Sequence, residues 1–349
     1  MKAAVLRELG RPLEVEDLAI PRLSQGQLRV RMQLAAVCHS QKLEVTGGRG
    51  PDRHLPHLIG HEGVGMVDEV GPGVTKAKAG DQVVLSWIRG SGLSSEPVRY
   101  SSFKGTVNAG PISTFCETPV VSEQCVTRME TAVDPEVAVL AGCALPTGAG
   151  TVWNAMPSSP GGSVCIIGMG GVGLAAVSGA VYAGWGRVVA VDLWPLRLQR
   201  AKELGATDII QAGSENVEEA ILTITSGIGC DLVVECAGSA SAMQTAIRIA
   251  RVKGGKVIIA GNLEAGKTIS LDPFDLIKGR WLGGSWGGGI RPDADIPRLV
   301  SLVKKGVFNR ELLMGKRFTL DQINEAVQAL DSEEPGRPIV QFKFNGKNS

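Results

Sequence analysis

The chain has 349 residues, enough for two domains of roughly 150 to 200 residues that each bury a core. Its 36 Lys and Arg against 35 Asp and Glu leave no field of one sign to hold nucleic acid or an anionic membrane, which points to a small-molecule partner. There is no run of about 18 apolar residues to cross a membrane, and the charged N-terminus does not read as a secretion signal. Seven irregularly spaced cysteines fit reduced thiols and metal ligands better than disulfides, so a cytoplasmic protein is expected.

Up to about residue 150, short runs such as KAAVL, LRVRMQLAAV, GVGMVDEV and DQVVLS alternate with Gly, Pro and charged turns, the pattern of many short β-strands. All four histidines (His39, His54, His57, His61) fall within this stretch. His61 stands in IGHEGVGMV, between glycines that leave room for a metal, with Glu62 available to orient the site or to serve as an occasional ligand. Cys38 precedes His39 and Ser40, and Cys143 lies in LAGCALPTGAG just before the sequence changes character, so both are expected to face a cleft between domains. Two sulfurs and an imidazole suit zinc, and a catalytic zinc keeps three protein ligands and one open position. His54 and His57, beside two prolines, read as surface residues, and Cys116, Cys125, Cys165, Cys230 and Cys236 as small core residues.

From Gly161 onward the rhythm is βαβ: SVCIIG, a helix over about 171–184, RVVAVD, a helix over about 195–204, then TDII, DLVVECAG and GGKVIIAG with helices between. Such alternation builds a parallel sheet covered on both faces. GMGGVG at 168–173 follows a strand and opens a helix, the setting of a dinucleotide fingerprint. Gly168 makes the tight turn, Gly170 lets the backbone approach a pyrophosphate and Gly173 permits close packing, with Gly171 and Val172 completing the loop. Asp192 ends the next strand about 20 residues on, where a carboxylate binds ribose hydroxyls and repels a 2′-phosphate, so NAD(H) is favoured over NADP. Arg197 and Arg200 are candidates for contacts to adenine or phosphate. A glycine-rich turn without a ligand is the alternative, disfavoured by strand, helix and acid together. Beyond residue 290, DADIPRLVSLVKKG reads as an amphipathic helix and RPIVQFKF as a closing strand that rejoins the first domain.

Together with GPGVTKAKAGDQVV, Gly142, Thr147 and AKELGATDII, these motifs make the chain resemble the medium-chain dehydrogenase/reductases, and among them the zinc-dependent alcohol dehydrogenases. The resemblance implies an α/β protein: a GroES-like β-barrel catalytic domain over 1–148 and 286–349, and a Rossmann domain with a doubly wound parallel sheet over 149–285. It implies one catalytic zinc on Cys38, His61 and Cys143, with Ser40 touching the substrate oxygen and beginning proton removal. His39 and Arg337 would contact cofactor phosphates, Thr147 the nicotinamide side, and Trp87 the substrate. The segment GGSWGGGI would join a subunit contact in a homodimer or homotetramer.

Three departures stand out. The region SWIRGSGLSSEPVRYSSFKG lacks the four cysteines that hold a structural zinc in many relatives, so no second zinc is expected. Leu43 replaces a proton-relay histidine found in some relatives, and Asn108, Ala109 and Gly110 stand where bulky pocket walls are common. The expected activity is hydride transfer between an alcohol or carbonyl and NAD(H). A reductase of activated C=C bonds and a non-catalytic nucleotide-binding protein are the alternatives.

Overall fold

The computed structural model describes residues 1–343. Two antiparallel-rich sheets are built from the first part of the chain and two strands of its C-terminal end. The larger runs in the order Val126–Arg128, Gln82–Ser86, Glu62–Val70, Gln27–Ala36, Arg337–Gln341, Met314–Thr319, with Val120–Ser122 also on Gln27–Ala36. The C-terminal strand therefore returns to the first domain, pairing antiparallel with Ile339 opposite Ala36. It ends at Gln341, while Phe344 of the expected strand and the rest of 344–349 lie outside the described residues.

The smaller sheet runs Glu14–Asp17, Lys2–Leu6, His57–Leu58, Gly105–Ala109, Val98–Ser102. It corrects two expectations. His57 is a buried strand residue, not a surface one: it pairs with Leu6, and its Nε2 lies 2.8 Å from Asp52 Oδ2. Asn108 and Ala109 belong to a hairpin strand, with Ala109 in that sheet's core and Asn108 donating to the His54 carbonyl at 2.9 Å, so neither lines the cleft described below. The loop without cysteines is tied down by Glu123 instead, whose carboxylate accepts the backbone N–H groups of Thr75, Lys76 and Leu93 at 2.7 to 2.8 Å.

The third sheet is wholly parallel, in the order Asp208–Gln211, Arg187–Asp192, Ser163–Ile167, Leu232–Glu235, Lys256–Ile259, Trp281–Gly284. Numbered along the chain this is 3-2-1-4-5-6, the doubly wound order, with a crevice where the winding reverses beside the first strand. Ser163–Ile167 and Leu232–Glu235 are buried at every position, as expected of apolar strands covered by helices on both faces.

Two helices fix the crevice relative to the barrel. Ala144–Ala155 crosses Gly171–Ala183 at a distance only glycine allows: a Cβ on Gly148 would meet Val172 O at 2.2 Å, and one on Gly179 would meet Ala149 Cα at 2.6 Å. Cys143 is the N-cap of the first of these helices and the fingerprint opens the second.

Candidate active site

Cys38 sits at the N-cap of the short helix His39–Val45, with extended backbone (φ −108°, ψ 150°). His61 follows Gly60, whose φ of 101° favours glycine and whose Cβ would strike Thr114 Oγ1 at 2.5 Å. Both positions are thus set by the backbone. The ligating atoms of Cys38, His61 and Cys143 lie within 4.8 Å of one another, in the one such cluster found among the described residues.

Electrostatics prepare this cluster for a cation. Cys38 and Cys143 share a hydrogen bond that holds the Cys38 thiol low and pushes Cys143 up, while the neighbouring Arg337 cation favours the thiolate at both. Nε2 of His61 is buried with no protein partner. Two thiols near a cation and an unpartnered imidazole nitrogen are a donor set that fits zinc.

Glu62 lies behind the cluster, fully buried. Its Oε1 accepts the N–H groups of Cys143 and Ala144 at 3.0 and 2.8 Å, and its Oε2 accepts Nε and Nη2 of Arg337 at 3.0 and 2.7 Å. Burial pushes this carboxyl up, and Arg337 opposes the shift. Both oxygens are engaged, so Glu62 anchors the Cys143 backbone in this geometry and is not among the clustered ligand atoms.

Beside the cluster opens a cleft of about 420 Å³, lined by Cys38, His39 and Ser40 on one wall and by the fingerprint glycines and Asp192 on the other. The Ser40 hydroxyl is buried and without a partner. His39 is exposed at the cleft, and desolvation lowers its pKa. Thr147 Oγ1 lies 4.0 Å from Cys143 Sγ. Asp192 accepts the N–H groups of Met169 and Trp194 at 2.6 and 2.9 Å, which holds its carboxylate at the end of its strand. Arg337 packs on the fingerprint, since a Cβ on Gly171 would lie 2.7 Å from its Cδ.

Arg197 lines the cleft, but its Nη2 donates to the carbonyls of Leu330 and Ser332 at 3.0 and 2.5 Å. Arg200 is not in the cleft: it donates to the carbonyls of Glu311, Leu312 and Met314 and staples its helix to the C-terminal segment. Cys236, expected in the core, is half-buried and lines the cleft floor.

Trp87 stands near the metal cluster, its ring centroid 6.3 Å from that of His61. Its indole nitrogen is buried without a partner. Two neighbours escaped the sequence reading. Trp286 stacks edge-on against Trp87 at 4.9 Å, placing part of GGSWGGGI beside the site. Gln41 bridges Cys38 and His61, and its position three residues after the N-cap is a capping-box spacing visible in the sequence.

Residues 24–131 match the family described as alcohol dehydrogenase GroES-like domain, and residues 171–305 match zinc-binding dehydrogenase. An S-(hydroxymethyl)glutathione dehydrogenase of Synechocystis is 31% identical, over 98% of this chain and 99% of its own length. The chain belongs to the zinc-binding alcohol dehydrogenase family. Among solved members, an alcohol dehydrogenase zinc-binding domain protein from Burkholderia ambifaria is 28% identical with a TM-score of 0.88. Benzyl alcohol dehydrogenase from Acinetobacter calcoaceticus is 28% identical with a TM-score of 0.87, and each comparison covers 98% of this chain and 99% of the other. The chain is thus a medium-chain, zinc-dependent oxidoreductase of the NAD(H)-dependent kind that interconverts alcohols and carbonyls. Membership in an enzyme family sets aside the non-catalytic alternative.

Proposed function

We propose that Cys38, His61 and Cys143 hold one catalytic zinc, that the adjoining cleft takes NAD(H) in preference to NADP(H), and that the substrate is a small alcohol or its carbonyl product. The observation that carries this reading is convergence: three soft or borderline donors lie within 4.8 Å of one another, and one of them, Cys38, lines the same cleft as the unpartnered Ser40 hydroxyl and the glycine fingerprint. When bound, zinc supplies Lewis acidity, the effect that lowers the pKa of water from 15.7 to about 7 in other enzymes.

The chain's own groups do the rest. Ser40 would relay the substrate hydroxyl proton, taking it as it gives its own to the exposed His39 or to water, as Leu43 has no group that could carry it. Bound NAD⁺ would supply the hydride acceptor, so that one alcohol and one NAD⁺ would give one carbonyl, one NADH and one proton. Gly168, Gly170, Gly171 and Val172 would cradle a dinucleotide's pyrophosphate with Arg337 and His39 nearby, Gly173 keeps the helix close against the turn, Asp192 would hold the ribose, Arg197 would border the adenosine end and Thr147 would face the nicotinamide. Glu62 assists by holding Cys143 in place. Trp87 walls the substrate side and excludes water from the reacting carbons.

We also propose that the chain pairs with a second copy through the free edge of Trp281–Gly284, the outermost strand of the parallel sheet. Trp281 on this strand is 52% exposed, and Phe274 and Ile277 on the helix Pro273–Ile277 that precedes it in the chain are 54% and 75% exposed, apolar surface that a twofold partner would cover. Among the described residues no helix is long and apolar enough to cross a membrane, and seven unpaired cysteines suit a reducing compartment such as the cytoplasm.

Absorbance at 340 nm with NAD⁺ and a panel of alcohols, aryl carbinols and S-(hydroxymethyl)glutathione tests the reaction. Cys143→Ser should abolish turnover and leave NADH fluorescence titration nearly unchanged. Retained turnover would remove the metal from the mechanism.

A further inference from the structure

Gln41 is fully buried between two of the three clustered donors. Its Oε1 accepts the Cys38 N–H at 2.6 Å, and its Nε2 lies 2.5 Å from Nδ1 of His61. The orientation of this amide follows from chemistry. A backbone N–H can only donate, so the carbonyl end must face Cys38 and the NH₂ end is left facing the histidine. An NH₂ can only donate as well, so Nδ1 must be the unprotonated nitrogen of the neutral ring. Its proton then sits on Nε2, the buried nitrogen without a protein partner and the one left to ligate.

A metal-bound histidine ordinarily donates its other N–H to a carboxylate, a carbonyl or water. Here the partner is itself a donor. We propose that Gln41 is a positioning residue that holds His61 in the tautomer opposed to metal ligation and so keeps the metal loosely held. To bind through Nε2, the ring must move its proton to Nδ1 and face the amide N–H groups, or give that proton up altogether. Otherwise the amide must turn over, setting its NH₂ against the Cys38 N–H. Each route leaves a mismatch or a deprotonation that a carboxylate at position 41 would avoid, because one oxygen could accept from Cys38 and the other from His61 Nδ1–H. The inference rests on the reading that these three residues hold the metal, although its tautomer half does not.

Two measurements test it. Long-range ¹H–¹⁵N correlation on the metal-free chain, with the His61 signals assigned by their loss in His61→Ala, should show the Nε2–H tautomer in the native chain and Nδ1–H in Gln41→Glu. Chelator competition should show zinc bound about 10-fold or more tightly by Gln41→Glu, within the 10- to 100-fold range of such supporting contacts. Gln41→Leu, which removes the mismatched amide, should bind zinc no more weakly than the native chain. A native Nδ1–H tautomer would overturn the inference, as would a 10-fold loss of affinity in Gln41→Leu or no gain in Gln41→Glu. If neither the native chain nor Gln41→Glu bound zinc while the tautomers behaved as stated, the metal assignment would fail, and with it the looser-grip half of this proposal.

Discussion

Replacing Arg337 with Met probes the pair that supports the whole site. The Arg337 and Glu62 side chains are 3% and 0% exposed, and Oε2 of Glu62 would lose both guanidinium donors, at 3.0 and 2.7 Å. Breaking a buried pair from one side strands the remaining charge and costs about 3–5 kcal/mol. The loss should be read on the metal-free protein as a lower denaturant midpoint, followed by tryptophan fluorescence. Glu62→Gln together with Arg337→Met removes the stranded charge, and one amide oxygen can still accept from Cys143 and Ala144. The double variant should therefore recover at least about 1 kcal/mol of what Arg337→Met loses, a coupling within the range seen for contacting residues. A loss below about 1 kcal/mol for Arg337→Met, or strict additivity in the double variant, would refute the claim that this pair holds Cys143 in place.

Other consequences can be checked separately. Glu235 closes its strand with Oε1 accepting the Gly238 N–H at 2.7 Å and Oε2 buried without a partner, and burial pushes its carboxyl up to about 7. Because the folded pKa lies above the unfolded value, its contribution is fully present below about pH 4 and is lost as pH rises through about 7. Glu235→Gln should therefore gain stability relative to the native chain between pH 5 and 8, by an amount on the order of 3 kcal/mol; a pH-independent difference would contradict this. Trp281→Lys puts a charge on the proposed pairing edge and should turn an oligomer into a monomer in light scattering, with NADH binding kept. An unchanged mass would place the subunit contact elsewhere.

Features carried by local periodicity were readable in the sequence. The helix expected over about 171–184 is Gly171–Ala183, and that over about 195–204 is Pro195–Glu203, because proline at the start of one and glycine at the end of the other mark their limits. The parallel strands were visible as unbroken Val and Ile runs bounded by glycine. Cys38, His61 and Cys143 could be singled out because cysteine and histidine chemistry narrows the choice, yet their meeting within 4.8 Å is a product of tertiary folding. His57 was misjudged because its burial comes from pairing with Leu6, some 50 residues earlier in the chain. Gln41 and Trp286 went unremarked for a related reason: a buried amide and a tryptophan in a glycine-rich turn gain significance only from the ring each one faces. The same holds for Arg200, whose carbonyl partners lie more than 100 residues away.

The most direct test of the metal assignment is X-ray absorption at the zinc edge of the purified, zinc-loaded chain. Coordination by Cys38, Cys143 and His61 requires two sulfur scatterers at about 2.3 Å and one nitrogen at about 2.0–2.1 Å, with a light atom completing the shell. A shell made only of nitrogen and oxygen, or one with four sulfurs, would contradict it.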